Sequence, residues 1–293
     1  MARVNLTNAS SSGSGNRFSS VFNSKYPMNY NPDYMTLFEF EKYEGHESVR
    51  IWMYDHWQWS VYASGIYVGL VFGGQWLMRN REPFKLRRLL TIWNIFLAVF
   101  SAIAFLRSIP ELLVSILGPN GSLHKSVCFL ENHNPATSLW GLLFALSKIV
   151  EFGDTVFIVL RKQPLIFLHW YHHVTVCMFC WFAHGSHDPT SRWFADMNLF
   201  VHSLMYTYYA LRSLQIKLPQ TLALSITCLQ ITQMLVGIVI SFHSYSVIVS
   251  GEECHRPLSN IYASLGMYAT YFLLFANFFY KAYMTKSKKR KTA

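Results

Sequence analysis

Apolar residues gather in seven runs, each filling a window of about 19 residues. They lie near Trp59–Met78, Leu89–Leu106, Leu139–Leu160, Leu165–Ala183, Phe194–Leu211, Pro219–Ile240 and Asn260–Tyr283. About 20 such residues, rising 1.5 Å each as a helix, cross the hydrocarbon core of a bilayer. The pattern therefore predicts an all-α, polytopic membrane protein with seven transmembrane helices. Ile109–Leu117 is apolar but too short to span; it either prolongs the second helix past Pro110 or lies at the interface. The third run is the weakest, because Lys148, Glu151 and Asp154 interrupt it. Residues 1–35 are rich in Ser, Asn and Gly and read as a disordered segment. They lack a charged start followed by an apolar core, so they do not read as a cleavable signal peptide. The expected plan is that segment, one seven-helix domain over 36–284, and a basic tail over 285–293.

Composition agrees with this class. The 293 residues are 52% hydrophobic and 14% charged, against about 25% charged in soluble domains. The net charge of +10 is unevenly placed. Arg79, Arg81, Lys85, Arg87 and Arg88 follow the first run, Arg161 and Lys162 the third, and Arg212 and Lys217 the fifth. Lys281, Lys286, Lys288, Lys289, Arg290 and Lys291 close the seventh, whereas the opposite loops carry only Arg107, Lys125, Arg192 and Arg256. Positive charge favours the cytosolic side, which predicts a luminal N-terminus and a cytosolic C-terminus. No compact basic domain is present, so nucleic acid is not an expected partner. The sequons at Asn5, Asn8 and Asn120 fall on the expected luminal side, where glycosylation is open to them. Cys128 and Cys254 lie in two loops of that side and are candidates for a disulfide.

The chemistry sits inside the apolar runs. His169-x-x-His172-His173 opens the fourth, about 6–13 Å from the start of its helix, on adjoining faces. An ionisable group at that depth costs about 2.5–3.5 kcal/mol on insertion scales. Three histidines there read as a reaction centre. In the third run Lys148, Glu151, Asp154 and Thr155 share one stripe. That stripe is either self-neutralising packing or a set of groups that orients the imidazoles of the next helix. The fifth run carries Asn198, His202, Met205, Tyr206, Tyr208 and Tyr209, which adds a fourth imidazole and phenol donors. Thr227, Gln230 and Gln233 share a face of the sixth, as helix glue or as part of the site. Cys177-x-x-Cys180 lies deep in an apolar span and reads as packing, since burial suppresses thiol reactivity.

Taken in order, Lys-x-x-Glu-x-x-Asp-Thr, His-x-x-His-His, His-x-x-Met-Tyr-x-Tyr-Tyr and Thr-x-x-Gln-x-x-Gln resemble the elongases of very-long-chain fatty acids, over about residues 36–290. The resemblance implies a seven-helix enzyme of the endoplasmic reticulum membrane enclosing an acyl-chain tunnel. The implied activity is that of a 3-oxoacyl-CoA synthase, which condenses acyl-CoA with malonyl-CoA. Leu165 stands where branches acting on polyunsaturated chains tend to carry Gln. The run from Leu160 to His173 looks most like the sixth vertebrate subfamily, which favours saturated and monounsaturated chains. The two thioesters are substrates, and neither cofactor nor metal is expected. His172 is the expected acyl acceptor, and His202 would position malonyl-CoA. His169, His173 and Asp154 would set hydrogen bonds and tautomers. Lys148, Glu151, Asn198, Tyr206, Tyr209, Gln230 and Gln233 are candidate substrate contacts. Arg161, Lys162, Arg212 and Lys217 are candidates for the phosphates of coenzyme A.

Implied partners are membrane lipid, a 3-ketoacyl-CoA reductase, a 3-hydroxyacyl-CoA dehydratase, an enoyl-CoA reductase and a second copy of the chain. Lys289 and Lys291 resemble an endoplasmic reticulum retrieval signal. The competing enzyme reading is a membrane di-iron desaturase or hydroxylase, which shares His-x-x-His-His but needs about eight histidines in three boxes. A seven-helix receptor or transporter is the non-enzymatic alternative.

Overall fold

The computed structural model describes residues 28–42 and 45–285. Among these the regular elements are helices. After a 3₁₀ turn at Glu39–Lys42 come α1 (Gly45–Asp55), α2 (Gln58–Leu77), α3 (Arg87–Leu117) and α4 (Leu123–Cys128). α5 (Pro135–Val150), α6 (Gly153–Leu160), α7 (Phe167–Gly185) and α8 (Ser191–Ser213) follow. α9 (Gln220–Val249) and α10 (Leu258–Phe279) complete the set, the latter ending in a π turn at Tyr280–Met284. Six members close a ring. α7 packs on α10, α10 on α9, α9 on α8, α8 along α3, α3 on α5, and α5 back on α7. α2 stands outside this ring against α6 and α7, and α1 lies across α5 and α7.

Local sequence explains most boundaries. Asn134 caps α5 reciprocally with Thr137 (3.2 Å each way), with Pro135 in the first turn. Pro219 and Pro257 stand immediately before α9 and α10. α6, α7 and α8 end on Lys162, His187 and Gln215, all at positive φ (53°, 55° and 66°). In each case the next amide closes back on the helix, in Gln163→Ile158, Asp188→Ala183 and Ile216→Leu211. Ile109–Leu117 prolongs α3 through Pro110, which resolves the alternatives left open above.

Among the described residues, three helices are long and apolar enough to cross a membrane: Arg87–Leu117, Gln220–Val249 and Leu258–Met284. The other four predicted spans fall short for visible reasons. α2 contains Ser and Gly, α7 carries the histidines, and α8 holds Arg192, Asp196, Asn198 and His202. The third run, expected as one helix, is two: the chain turns at Glu151–Phe152 through short-range bonds, Phe152 N to Ile149 O and Asp154 N to Glu151 O. Gly153 sits in that turn, where an added Cβ would come within 2.6 Å of the Trp93 ring. The start of the domain also differs from expectation. Asn29 N donates to His133 O (2.8 Å) and Tyr34 OH to Asn132 O (2.5 Å), so residues 28–35 lie on the domain rather than in a loose leader. Asn5, Asn8 and most of the basic tail lie outside the described residues.

The end of the bundle away from His169 is tied by buried polar links. Cys128 and Cys254 are joined by a disulfide, with Cα atoms 4.5 Å apart. Glu41 accepts from Arg107 of α3 and from the Trp140 indole of α5. Arg256 is fully buried; it donates to Asp188 (3.2 Å), Ser244 (2.9 Å) and Ser264 (2.7 Å) and lies over the Phe194 ring. Asn260 completes the knot on Asp188 (2.9 Å). The α7–α8 turn, α9 and α10 thus meet at one guanidinium. Removing one partner of a buried pair strands the other, at about 3–5 kcal/mol. Arg256→Met is therefore expected to lower the unfolding midpoint of detergent-purified protein markedly, and Asp188→Asn added to it to recover part of the loss; thermal unfolding measures both.

Candidate active site

The box histidines sit in the first turns of α7, which starts at Phe167 just beyond Pro164 and an extended Ile166. The His169 and His173 rings lie one turn apart, 4.5 Å between centroids, and His172 and His173 are 5.4 Å apart. From α8, the neighbour across the ring, come Asn198, His202, Met205, Tyr206 and Tyr209. Both groups line one open cavity of about 190 Å³. Asp154, Gln230 and Gln233 also line it, with Met234, Phe275 and Phe278 as apolar wall. The structure therefore brings together all four histidines, with Asp154, Asn198, Tyr206, Tyr209, Gln230 and Gln233.

Two hydrogen-bonded chains hold the imidazoles. In the first, Tyr67 of α2 meets the Thr155 hydroxyl (2.7 Å), and that hydroxyl reaches His169 Nε2 (2.9 Å). In the second, the Lys148 ammonium donates to Glu151 (2.6 Å) and to the Asn198 carbonyl oxygen (2.9 Å). The Asn198 amide lies 3.1 Å from His202 Nε2, and Glu151 stands 3.7 Å from His202 Nδ1. Lys148 and Glu151 are buried and do not line the cavity, so their expected part as substrate contacts is corrected. Lys148 is engaged by Glu151 and Asn198, and Glu151 also stands beside His202, with its second carboxylate oxygen lacking a hydrogen-bond partner among the described residues. Asp154 differs from expectation too. Its carboxylate accepts from the Trp93 indole (2.6 Å) and the Tyr206 hydroxyl (2.7 Å), and its neighbour Thr155 is the residue that reaches an imidazole.

His172 is fixed through its own backbone. Tyr271 of α10 donates to its carbonyl oxygen (3.2 Å) and meets the Thr175 hydroxyl (2.5 Å), with its ring 5.1 Å from the imidazole. Tyr67, Trp93 and Tyr271 were invisible to the sequence reading, because their partners lie 88, 61 and 99 positions away. The glycine before Asp154 is the one local signal. It lets the indole approach where any side chain would block it.

Gln230 meets the Met205 sulfur (3.4 Å), and Thr227 the Tyr283 hydroxyl (3.2 Å), so that face of α9 both joins helices and borders the cavity. Arg161, Lys162, Arg212 and Lys217 lie at this end of the bundle but outside the cavity lining. Lys162 is engaged structurally, with its ammonium on the backbone oxygens of Arg79 (3.1 Å) and Arg81 (3.0 Å). Among the described residues no three His, Cys, Asp or Glu side chains are grouped to hold a metal ion.

Cavities continue from the histidines into the bundle. A small one of about 30 Å³ shares His172, Asn198, Gln233 and Met234 with the first and is otherwise mainly apolar and aromatic. It shares Phe144, Phe179, Cys180 and Phe194 with a third, about 80 Å³, at the far end. Such a row suits an extended apolar ligand with its reactive end at the imidazoles.

Comparison with known proteins agrees with that geometry. The ELO model, the GNS1/SUR4 family, matches residues 52–291. The chain is 45% identical over 258 residues to very long chain fatty acid elongase 6 of Drosophila melanogaster, covering 86% of this chain and 81% of that one. It is 42% identical over 253 residues to the human protein of the same name (86% and 94%). With human very long chain fatty acid elongase 3 the identity is 38% over 269 residues (90% and 97%). With its histidines gathered at one cavity and this similarity running along most of its length, the chain belongs to the ELO family of fatty acid elongases.

Proposed function

We propose that the chain is the condensing enzyme of fatty acid elongation, a 3-oxoacyl-CoA synthase of the endoplasmic reticulum membrane. The observation that carries this reading is that imidazoles from α7 and α8 share one cavity with an apolar continuation. His172 attacks the acyl thioester with an unprotonated ring nitrogen, the C–S bond breaks, and coenzyme A leaves with the ring proton. Malonyl-CoA then loses CO₂, and the electron pair of the broken C–C bond forms an enolate. The enolate attacks the acyl carbonyl, the C–N bond breaks, and the imidazole regains a proton from solvent. The product is a 3-oxoacyl-CoA two carbons longer. In this reading the second N–H of the Asn198 amide donates to the enolate oxygen, a contribution of order 10²–10³ in rate for such donors. His202, whose Nε2 accepts from that amide, helps to hold the malonyl thioester.

In this reading the spans are seven: the six ring members, with α6 continuing α5, and α2 beside them. The polar residues that lower the apolarity of α7 and α8 point into the ring, while Ile66, Leu70, Ile92, Leu106, Val239 and Leu273 cover its outside. The histidine end faces the cytosol, with the N-terminus and the disulfide in the lumen. Arg79, Arg81, Arg161, Arg212 and Lys217 cluster at that cytosolic end, and none forms an ion pair among the described residues. They supply a positive mouth for coenzyme A phosphates. Asn120 is exposed in the luminal turn after α3, open to glycosylation.

Incubation of purified protein with labelled acyl-CoA alone is expected to leave one acyl adduct, mapped by mass spectrometry to His172 and absent from His172→Ala. An adduct that survives this substitution overturns the nucleophile, and stoichiometric iron in active protein overturns the condensing chemistry in favour of a desaturase. Raising ionic strength is expected to raise KM for acyl-CoA with kcat little changed, because exposed charges are screened within about 8 Å at physiological salt. Thr155→Val removes the hydroxyl between Tyr67 and His169 while keeping the side-chain shape. It is expected to lower kcat by about tenfold, the cost of one stranded buried polar group, and steady-state kinetics read this.

A further inference from the structure

The third cavity carries carboxylate and guanidinium groups in its walls, which the small one before it lacks. Past Phe144, Phe179 and Phe194, its walls include Glu111 of α3, His133, His184 of α7, and Ser191, Arg192 and Asp196 of α8. Arg192 pairs with Glu111 (3.1 Å), and His133 stands 3.5 Å from the same carboxylate. Asp196 is 1% exposed; one carboxylate oxygen accepts from Ser108, and the other has no hydrogen-bond partner among the described residues. The same holds for Ser191 Oγ and His184 Nε2. Buried polar atoms require partners, and these border the far end of a row whose middle is mainly apolar and aromatic. His184 lies twelve residues beyond His172 on one helix, about 18 Å at 1.5 Å per residue. An extended chain advances about 1.2 Å per bond, a third of the 3.3–3.6 Å covered by an extended residue. An acyl chain on His172 therefore brings its last atoms to this chamber after about fifteen bonds.

We propose that the chamber is a subsite for a polar chain terminus, taking the ω-hydroxyl of a hydroxyacyl chain. Resting on the elongase reading above, this extends the substrate class to ω-hydroxyacyl-CoA. A terminal hydroxyl donates to the free oxygen of Asp196 and accepts from Ser191 or His184, completing hydrogen bonds that a methyl end leaves unmade. In an apolar dead end the same hydroxyl is buried without a partner and is rejected by about tenfold or more.

The test compares kcat/KM for palmitoyl-CoA and its ω-hydroxylated analogue, using purified full-length protein and labelled malonyl-CoA. The wild-type enzyme is expected to extend both within about threefold of each other, well inside the discrimination of an apolar end. Asp196→Leu is expected to lower the hydroxylated-to-plain ratio by about tenfold, whereas Asp196→Asn, which keeps hydrogen-bonding capacity, holds it near the wild-type value. Tenfold rejection of the analogue by the wild-type enzyme overturns the subsite, as does an unchanged ratio in Asp196→Leu. Should that variant not fold, the wild-type ratio decides alone. A wild-type protein that extends neither thioester overturns the elongase reading and the subsite with it.

Discussion

Polar side chains buried between apolar helices are stabilised by partners on other helices, and such cross-links organise this bundle. Lys148 of α5 meets Asn198 of α8, Glu111 of α3 meets Arg192 of α8, and Thr155 of α6 meets both Tyr67 of α2 and His169 of α7. Each link fixes the rotation of two helices at once. With the polar edge turned inward, the apolar remainder is left outward, which is why large side chains such as Leu70, Leu106 and Leu273 stand exposed. The inside-out polarity of the molecule and the assembly of its site are one consequence of the same pairing.

What the sequence disclosed, and what it hid, follows from the range of those pairings. His169, His172 and His173 betray themselves because three imidazoles in five residues contradict their apolar surroundings. Lys148, Glu151 and Asp154 do the same on the preceding run. Their spacing gives a shared face, yet it cannot say what that face meets. Asp154 was expected to orient an imidazole; instead, just past the turn at Glu151–Phe152, it binds an indole from α3 and a phenol from α8. That turn is faintly legible as the weakest hydropathy of the seven runs. The short α1 left no apolar run to find, since it lies across the end of the bundle and buries only part of one face, including Met53. The far chamber was wholly hidden, because α3, the turn before α5, α7 and α8 each contribute only one or a few polar residues to it.

The two polar chains around the imidazoles have different mechanical characters. Tyr67–Thr155–His169 is built of neutral hydroxyls and can reverse its donors and acceptors as the ring changes tautomer. Lys148–Glu151–Asn198–His202 is anchored by a buried ion pair whose polarity is fixed: the ammonium can only donate, so the Asn198 oxygen must accept and its amide must point at His202. One chain thus tolerates a ring whose proton moves, and the other imposes a direction on its histidine.

Charge at the two ends sharpens the argument for orientation beyond a simple count. Away from the histidines, Arg107 binds Glu41, Lys125 binds Glu131, Arg192 binds Glu111 and Arg256 binds Asp188. Each of these cations is neutralised locally and contributes little field beyond its partner. The arginines and lysines around the histidine end outnumber the one acid of their loops, Glu82, and form no ion pair among the described residues, so their potentials add. Among the described residues, unpaired positive charge therefore gathers at the end where the cavity opens onto imidazole. On the reading proposed above, a thioester with a polyanionic head and a long apolar tail enters with its head at the basic rim and its tail along the row of cavities, because the reverse would bury its charges among phenylalanines.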